Sequence, residues 1–341
     1  MKNIPKLSVL ITSYNDSKFI SQCMDSILTQ TFQDFEIIIV DDASRDNTVE
    51  IIKSYQKKNA RINLICNEKN IGLAKSLNKG LQYCRADLVA RQDADDYSVL
   101  TRFEEQLSYL NRFQDVILLG TQEIGVDESN SGIESPYCYP VGYEIIRNTL
   151  IKRNCFNHSS VMFKKDVILS VGGYRPFPAC QDYDLWIRVA KNYKVDNLDK
   201  KLVYRRFVRN SISFKRIEIQ TASNSVICKL ARQRFNLGYD ELDKFRDKEL
   251  EKKIWGMVKK DIRINKKLCA SKNVYFFEYV LKTAGRKDAF IYLLRALTLD
   301  PFNPYIIRLL LDTYISKKIW YYLSGFKRSV FNRIDNKISG K

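Results

Sequence analysis

Two aspartates separated by one residue, Asp93-Ala94-Asp95, stand where a short apolar run, Leu88–Arg91, gives way to polar sequence. Alternate residues of an extended segment point to the same side, so both carboxylates can face one cation or its bound waters. Oxygen-only ligands suit hard divalent ions, Mg²⁺ or Mn²⁺, which are held through one or two carboxylates with phosphates and waters completing the shell. Alone, a pair of this kind also fits a solvated turn. Two more polar clusters follow apolar runs: Thr12-Ser13-Tyr14-Asn15 after Leu7–Thr12, and Asp41-Asp42 after Phe35–Val40. Farther on, Gln181-Asp182-Tyr183-Asp184 opens a helical pattern whose first-turn dipole favours a carboxylate and would keep Asp182 ionised, as a general base must be. Asp182 could equally cap that helix, and Asp184 competes with it for the role.

The elements that must position these residues follow from periodicity. Leu7–Thr12, Phe35–Val40, Arg61–Asn67 and Leu88–Arg91 read as strands; Lys18–Gln30, Thr48–Lys58 (capped by Asp46-Asn47) and Gly72–Cys84 read as helices between them. Strands and helices alternating at this spacing predict a mostly parallel α/β sheet, in which ligands bind beyond the carboxyl ends of the strands. The polar clusters should therefore converge on one cleft. Between Gly120 and Gly142 the pattern loosens into loop-like composition. Ser159–Phe163 predicts a short strand, Asp166–Val171 a helical turn ending at Gly172-Gly173, and Cys180–Lys191 a helix packed on the core. From about Glu218 onward the chain reads as successive helices, which places a boundary near Phe214: a domain over 1–214 and a basic helical region over 215–341.

Five blocks in order, VLITSYN, IVDDASRDNT, NIGLAKSLNKG, ARQDADD and QDYDLW, resemble the family 2 glycosyltransferases over residues 5–210. The resemblance implies the GT-A fold, a nucleotide-sugar donor, a divalent metal and an inverting displacement. It implies that Thr12 and Tyr14 line the nucleoside pocket, that Asp42, supported by Asp41, binds base or ribose, and that Asp93 and Asp95 form the metal-binding pair, with Asp95 the direct ligand. Asp182 matches the catalytic base; Gln181 departs from a Glu common in relatives. His158, the single histidine, matches a residue facing the donor–acceptor cleft, although a lone histidine is also often structural. Gly172-Gly173-Tyr174-Arg175 resembles an acceptor-side loop and equally suits a helix C-cap. Gly72 and Asn78 fall near the donor. Relatives of this type imply a hexose donor such as UDP-glucose or UDP-galactose, a polyprenyl-diphosphate-linked saccharide acceptor, and a role in O-antigen or capsule assembly.

The chain carries a net charge of +18 over 341 residues; residues 201–341 hold 32 Lys and Arg against 13 Asp and Glu, while the first 200 are nearly neutral. Such a basic end should meet something anionic. Ile319–Phe331, with Trp320, Tyr321, Tyr322, Phe326 and Phe331 beside Lys327 and Arg328, fits a helix lying on an anionic membrane surface, or one packed on the rest of the protein. Lys287–Pro304 faintly resembles a single tetratricopeptide helix pair. Eight scattered cysteines without a C-x-x-C pair argue for reduced thiols rather than zinc or disulfides. The N-terminus lacks a signal-peptide pattern, and no run reaches the roughly 18 apolar residues of a spanning helix. The expectation is a cytoplasmic protein, peripheral at the inner membrane face.

Three rival readings remain. A nucleic-acid-binding protein would use the basic end but not the carboxylates, which repel phosphates, so no nucleic-acid partner is expected. A scaffold that binds nucleotide sugars without turnover would not need Asp182. A nucleotidyltransferase would carry a glycine-rich, basic phosphate loop where Thr12–Asn15 stands.

Overall fold

The computed structural model describes residues 4–135, 137–207, 216–283 and 286–314; the aromatic segment Ile319–Phe331 lies outside the described residues. Residues 1–212 and 223–258 form one compact unit, and 213–222 with 259–341 form a second.

In the first unit, β1 (Leu7–Ser13) and β2 (Phe35–Asp41) are buried along their whole length, as runs covered on both faces must be. They pair in parallel from Leu7 with Phe35 to Ser13 with Asp41, and β3 (Ile62–Cys66) and β4 (Leu88–Asp93) flank them, also in parallel. On the other side of β1, Thr12 pairs with Asp93. This register brings Ser13, Asp41 and Asp93 level at one edge. Helices α1 (Ile20–Leu28), α2 (Thr48–Lys58) and α3 (Leu73–Tyr83) make the crossovers. The apolar stripes of α1 and α2 face a core of Leu7, Val9, Ile11, Met24, Ile27, Ile37, Ile39 and Ile52, each contributing about 1.5–3 kcal/mol by burial, while α3 lies on the other face, with Gly80 against Leu10 and Val40.

The sheet continues past β4 in the order β3-β2-β1-β4-β8-β6-β9-β5, with β5 (Tyr97–Ser98), β6 (Val116–Val126), β8 (Met162–Lys164) and β9 (Lys194–Arg206); β7 (Gly132–Ile133) pairs with β6. β8 runs antiparallel to both β4 and β6, and β6 runs parallel to β9. Helices α4 (Arg102–Arg112), α5 (Tyr143–Leu150), α6 (Lys165–Ser170) and α7 (Gln181–Ala190) complete this half.

Two sequence expectations need correction here. The stretch after Gly120 is not loop until Asp127: β6 runs through it, because Thr121, Gln122 and Glu123 are buried and hydrogen-bonded instead of alternating toward solvent. The strand expected at Ser159–Phe163 begins three residues late. His158–Ser160 is a 3-10 turn, fixed by the Asn157 side chain accepting from the Ser159 amide.

The remaining helices are α8 (Ile217–Leu237), α9 (Asp247–Ile264), α10 (Lys266–Thr283), α11 (Arg286–Leu299) and α12 (Pro304–Tyr314). The second unit has its own core of Ile217, Ala270, Val274, Phe277, Ala289, Tyr292, Leu293, Ala296 and Ile306. Among the described residues no helix is long and apolar enough to cross a membrane.

Candidate active site

At the end of β4, Asp93 pairs through Oδ1 with Arg91 Nη1 at 2.6 Å, and Arg91 is wholly buried. Arg91 also donates through Nη2 to Thr12 Oγ1 on the neighbouring strand, at 3.2 Å. One interior guanidinium therefore ties Thr12 to Asp93. Burial, then repulsion from Asp93, pushes the Asp95 carboxyl up to about 6. The Asp95 carbonyl accepts from Arg206 Nε, and the Asp96 carboxylate accepts from the Arg206 amide, so β9 fixes this turn. Asp16, beyond β1, belongs to the same cluster. Burial and then Asp95 push its carboxyl up to about 7, with Asp93 adding to the effect.

Mutually repelling carboxylates with oxygen-only donors are what a hard dication would relieve, so Asp93 and Asp95 fit Mg²⁺ or Mn²⁺. Among the described residues no three His, Cys, Asp or Glu side chains form a complete metal cage. An ion here would draw its other ligands from phosphate and water.

The nucleoside-side residues divide in two. Tyr14 is 44% exposed and free to flank a ring, while Asp41 and Asp42 are buried. Asp41 accepts from Ser13 Oγ and the Ser44 amide. Asp42 accepts from Asn67 Nδ2 and the amides of Ile71 and Gly72, all at 2.8–2.9 Å. Asp42 thereby pins the turn leading into α3. Asn15 and Ala43, in the loops after β1 and β2, have φ of 60° and 62°. Left-handed backbone at non-glycine residues costs about 1–2 kcal/mol each and concentrates where a site demands a shape the chain would not choose.

Cys180, at φ 59°, makes the same sharp entry into α7. Asp182 is the single residue of that ten-residue helix that is not buried. Its Oδ2 accepts from Asn154 Nδ2 at 2.8 Å. Burial raises the Asp182 carboxyl above the ordinary aspartate value, the Tyr183 amide and Asn154 pull it back, and Asp93 raises it further. Desolvation therefore outweighs the amides at this helix start. A raised carboxyl is a better proton acceptor, and Asp93 lies close enough to act on it. Asp184 is different: its carboxylate sits between Arg175 at 3.2 Å and Arg188 at 2.8 Å and is nearly sealed from solvent. Arg175 also pairs with Asp240 and Asp243, which in turn meet Arg234 of α8.

His158 Nε2 lies 3.1 Å from the Tyr174 hydroxyl, and burial together with Arg91 holds the imidazole well below its ordinary value, hence neutral at pH 7. Tyr174 is clamped by Asn78, which donates to its carbonyl and accepts from its amide, both at 2.8 Å. Gly173 has φ 61° and its amide returns to the Ile168 carbonyl, closing α6 as a C-cap does; a Cβ there would lie 2.6 Å from Asn78 Oδ1. The geometry thus joins the two sequence alternatives for Gly173: it ends α6 and so presents Tyr174 to His158.

The strand ends bring together Thr12, Asp16, Asp93 and Asp95, with Asp182 electrostatically in reach; Asp184 is set apart in its ion-pair network. Sequence reasoning overlooked Asp16, Arg91 and Asn154 as site residues, and reached Tyr174 only as part of the loop after Gly173. An arginine inside the run LVARQD was a usable signal, since a buried cation needs a nearby anion. Nothing in the sequence linked Asn154 to Asp182.

A family model described as glycosyl transferase family 2 matches residues 8–169. The amylovoran biosynthesis glycosyltransferase AmsE of Erwinia amylovora is 34% identical over 212 residues, 61% of this chain and 79% of that protein. An Escherichia coli UDP-Gal:alpha-D-GlcNAc-diphosphoundecaprenol beta-1,3-galactosyltransferase is 33% identical over 216 residues, 61% of this chain and 76% of that protein. Among solved structures, S. aureus TarS 1-349 in complex with UDP-GlcNAc superposes with a TM-score of 0.55 at 16% identity, covering 86% of this chain and 91% of that one. That likeness identifies the fold as GT-A.

Proposed function

The chain belongs to glycosyl transferase family 2, and we propose that it transfers a hexose, glucose or galactose, from a UDP-sugar to a saccharide carried on a polyprenyl diphosphate, with inversion. The observation that carries the reading is Asp182: the one residue of α7 that is not buried, with a raised carboxyl that feels Asp93 across the strand ends. In this reading the acceptor hydroxyl gives its proton to Asp182 as its oxygen bonds to the anomeric carbon, and the bond to the diphosphate breaks on the opposite face. Asn154 orients the Asp182 carboxylate for that transfer.

Asp95, with Asp93, would hold Mg²⁺ or Mn²⁺, which supplies charge neutralisation for the diphosphate. Arg91 keeps Asp93 aimed at the cleft, and Thr12 and Tyr14 line the nucleoside side. Asp42, braced by Asp41 and carrying the 67–72 turn, shapes the wall for base or ribose. Neutral His158 and Tyr174 offer hydrogen bonds toward the diphosphate or the acceptor.

The catalytic role is assigned to residues 1–214 and a basic accessory role to 215–341. The AmsE and galactosyltransferase names support a surface-polysaccharide pathway such as O-antigen or capsule assembly. A lipid-linked acceptor would be met at the inner face of the cytoplasmic membrane, with the C-terminal region against anionic lipid. A binding scaffold without turnover is the second reading; it leaves the raised carboxyl of Asp182, the one residue of α7 that is not buried, without a task. The test is UDP release and sugar transfer from a panel of UDP-sugars to a GlcNAc-diphosphate-lipid analogue, with Mn²⁺ or EDTA. Metal-dependent transfer from UDP-glucose or UDP-galactose supports the proposal; binding of UDP without transfer from any donor favours the scaffold.

A further inference from the structure

Where α9 gives way to α10, six basic side chains, Lys259, Lys260, Arg263, Lys266, Lys267 and Lys272, are exposed within fourteen residues. The single acidic residue in that stretch, Asp261, is buried. Helical hydrogen bonding continues through the junction: the Asn265 amide reaches the Asp261 carbonyl, and the Cys269 amide reaches the Asn265 carbonyl. Residues four apart therefore stack along one side. The row Lys260-Ile264-Leu268-Lys272 sets two aliphatic side chains, 65% and 44% exposed, between lysines. Beside it runs Arg263-Lys267-Ser271-Tyr275, with Tyr275 51% exposed. The opposite side carries Cys269, Ala270, Asn273, Val274 and Phe277, all buried in the second unit.

We infer that this corner is a docking surface for an anionic lipid bilayer. Each lysine or arginine near such a surface adds an electrostatic attraction, and exposed aliphatic side chains among them enter the headgroup layer. Nucleic acid would reward the charges but not Ile264 and Leu268, which its phosphates cannot contact favourably. The surface gives the lipid-linked acceptor reading a place at the membrane, and rests on that reading only for its purpose.

The experiment is flotation of the full chain with vesicles of phosphatidylcholine, alone or mixed with phosphatidylglycerol. Two variants run beside it: Lys260→Glu/Arg263→Glu/Lys266→Glu/Lys267→Glu, and Ile264→Ser/Leu268→Ser. Wild type should float with the anionic vesicles only. The charge variant should partition more than about a hundredfold less. The aliphatic variant should bind at low salt and dissociate at lower salt than wild type, because screening leaves it no apolar anchor. Equal flotation of wild type and the charge variant, or retention on duplex DNA without flotation, overturns the inference. UDP binding, followed in parallel, should be the same in all three proteins. Its loss from wild type would count against the enzymatic reading and leave the flotation result standing.

Discussion

Replacing Asp16 by Asn should make the metal-free protein more stable, although it removes a residue from the candidate site. The Asp16 carboxyl moves from 3.8 to about 7, through burial first and the Asp95 charge second. For an acid, a folded value above the unfolded one means that stability is greatest when the group is protonated. The penalty is absent below 3.8 and complete above about 7. That gap corresponds to about 4 kcal/mol well above pH 7. Screening at a partly exposed group halves it to about 2 kcal/mol. Asn retains an acceptor for the Tyr14 amide, which now bonds Asp16 Oδ2 at 2.9 Å, so the local turn should survive. Urea unfolding in EDTA, followed by far-ultraviolet circular dichroism, measures the difference. Asp16→Asn should gain about 2 kcal/mol near pH 8 and less than about 1 kcal/mol near pH 5. Equal stability of wild type and variant at both pH values, or a less stable variant near pH 8, would mean that burial and the Asp95 charge do not penalise the Asp16 carboxylate.

Gly173→Ala should cost about 2 kcal/mol, since φ is 61° and the new methyl would meet Asn78 Oδ1 at 2.6 Å; thermal denaturation reads the loss. Arg91→Met should weaken UDP binding in the presence of Mn²⁺ by freeing Asp93 and Thr12, and Arg91→Lys should restore part of it, as calorimetry can follow; equal binding by all three would remove the positioning role. Arg175→Ala should destabilise by about 1–3 kcal/mol, because it leaves the buried Asp184 and Asp240 with only Arg188 and Arg234 as their cationic partners. Asp243→Asn, whose side chain is 38% exposed, should cost less than about 1 kcal/mol in the same denaturation series.

Where side chains obey a simple inside–outside rule, the sequence is enough to place the elements. Leu7–Ser13, Phe35–Asp41 and Thr48–Lys58 fall where apolar runs and helical spacing put them, within a residue at each end. The pattern breaks where polar groups are buried in pairs. Gln122 bonds the backbone at Tyr139, Glu123 meets Tyr139, Asn157 and Arg205, and β6 consequently reads as loop. The strand-end carboxylates were legible because parallel strands level their carboxyl ends. Their partners were not: Asn154 reaches Asp182 across 28 positions and Asn78 reaches Tyr174 across 96, and spacing carries no information at such separations. The direction in which Asp182 is perturbed also needed the fold, since a helix N-terminus is visible in sequence and desolvation is not.

In the proposed reaction Asp182 accepts the acceptor's proton at a site where Asp93 and Asp95 would hold the donor's diphosphate through a metal. The most direct test of that role is a comparison of wild type with Asp182→Asn in two readouts, sugar transfer and UDP affinity in the presence of Mn²⁺. The variant's transfer rate should be lower by about 10²–10⁴-fold with UDP affinity unchanged. Transfer within a few-fold of wild type would contradict it, because the base would then lie elsewhere.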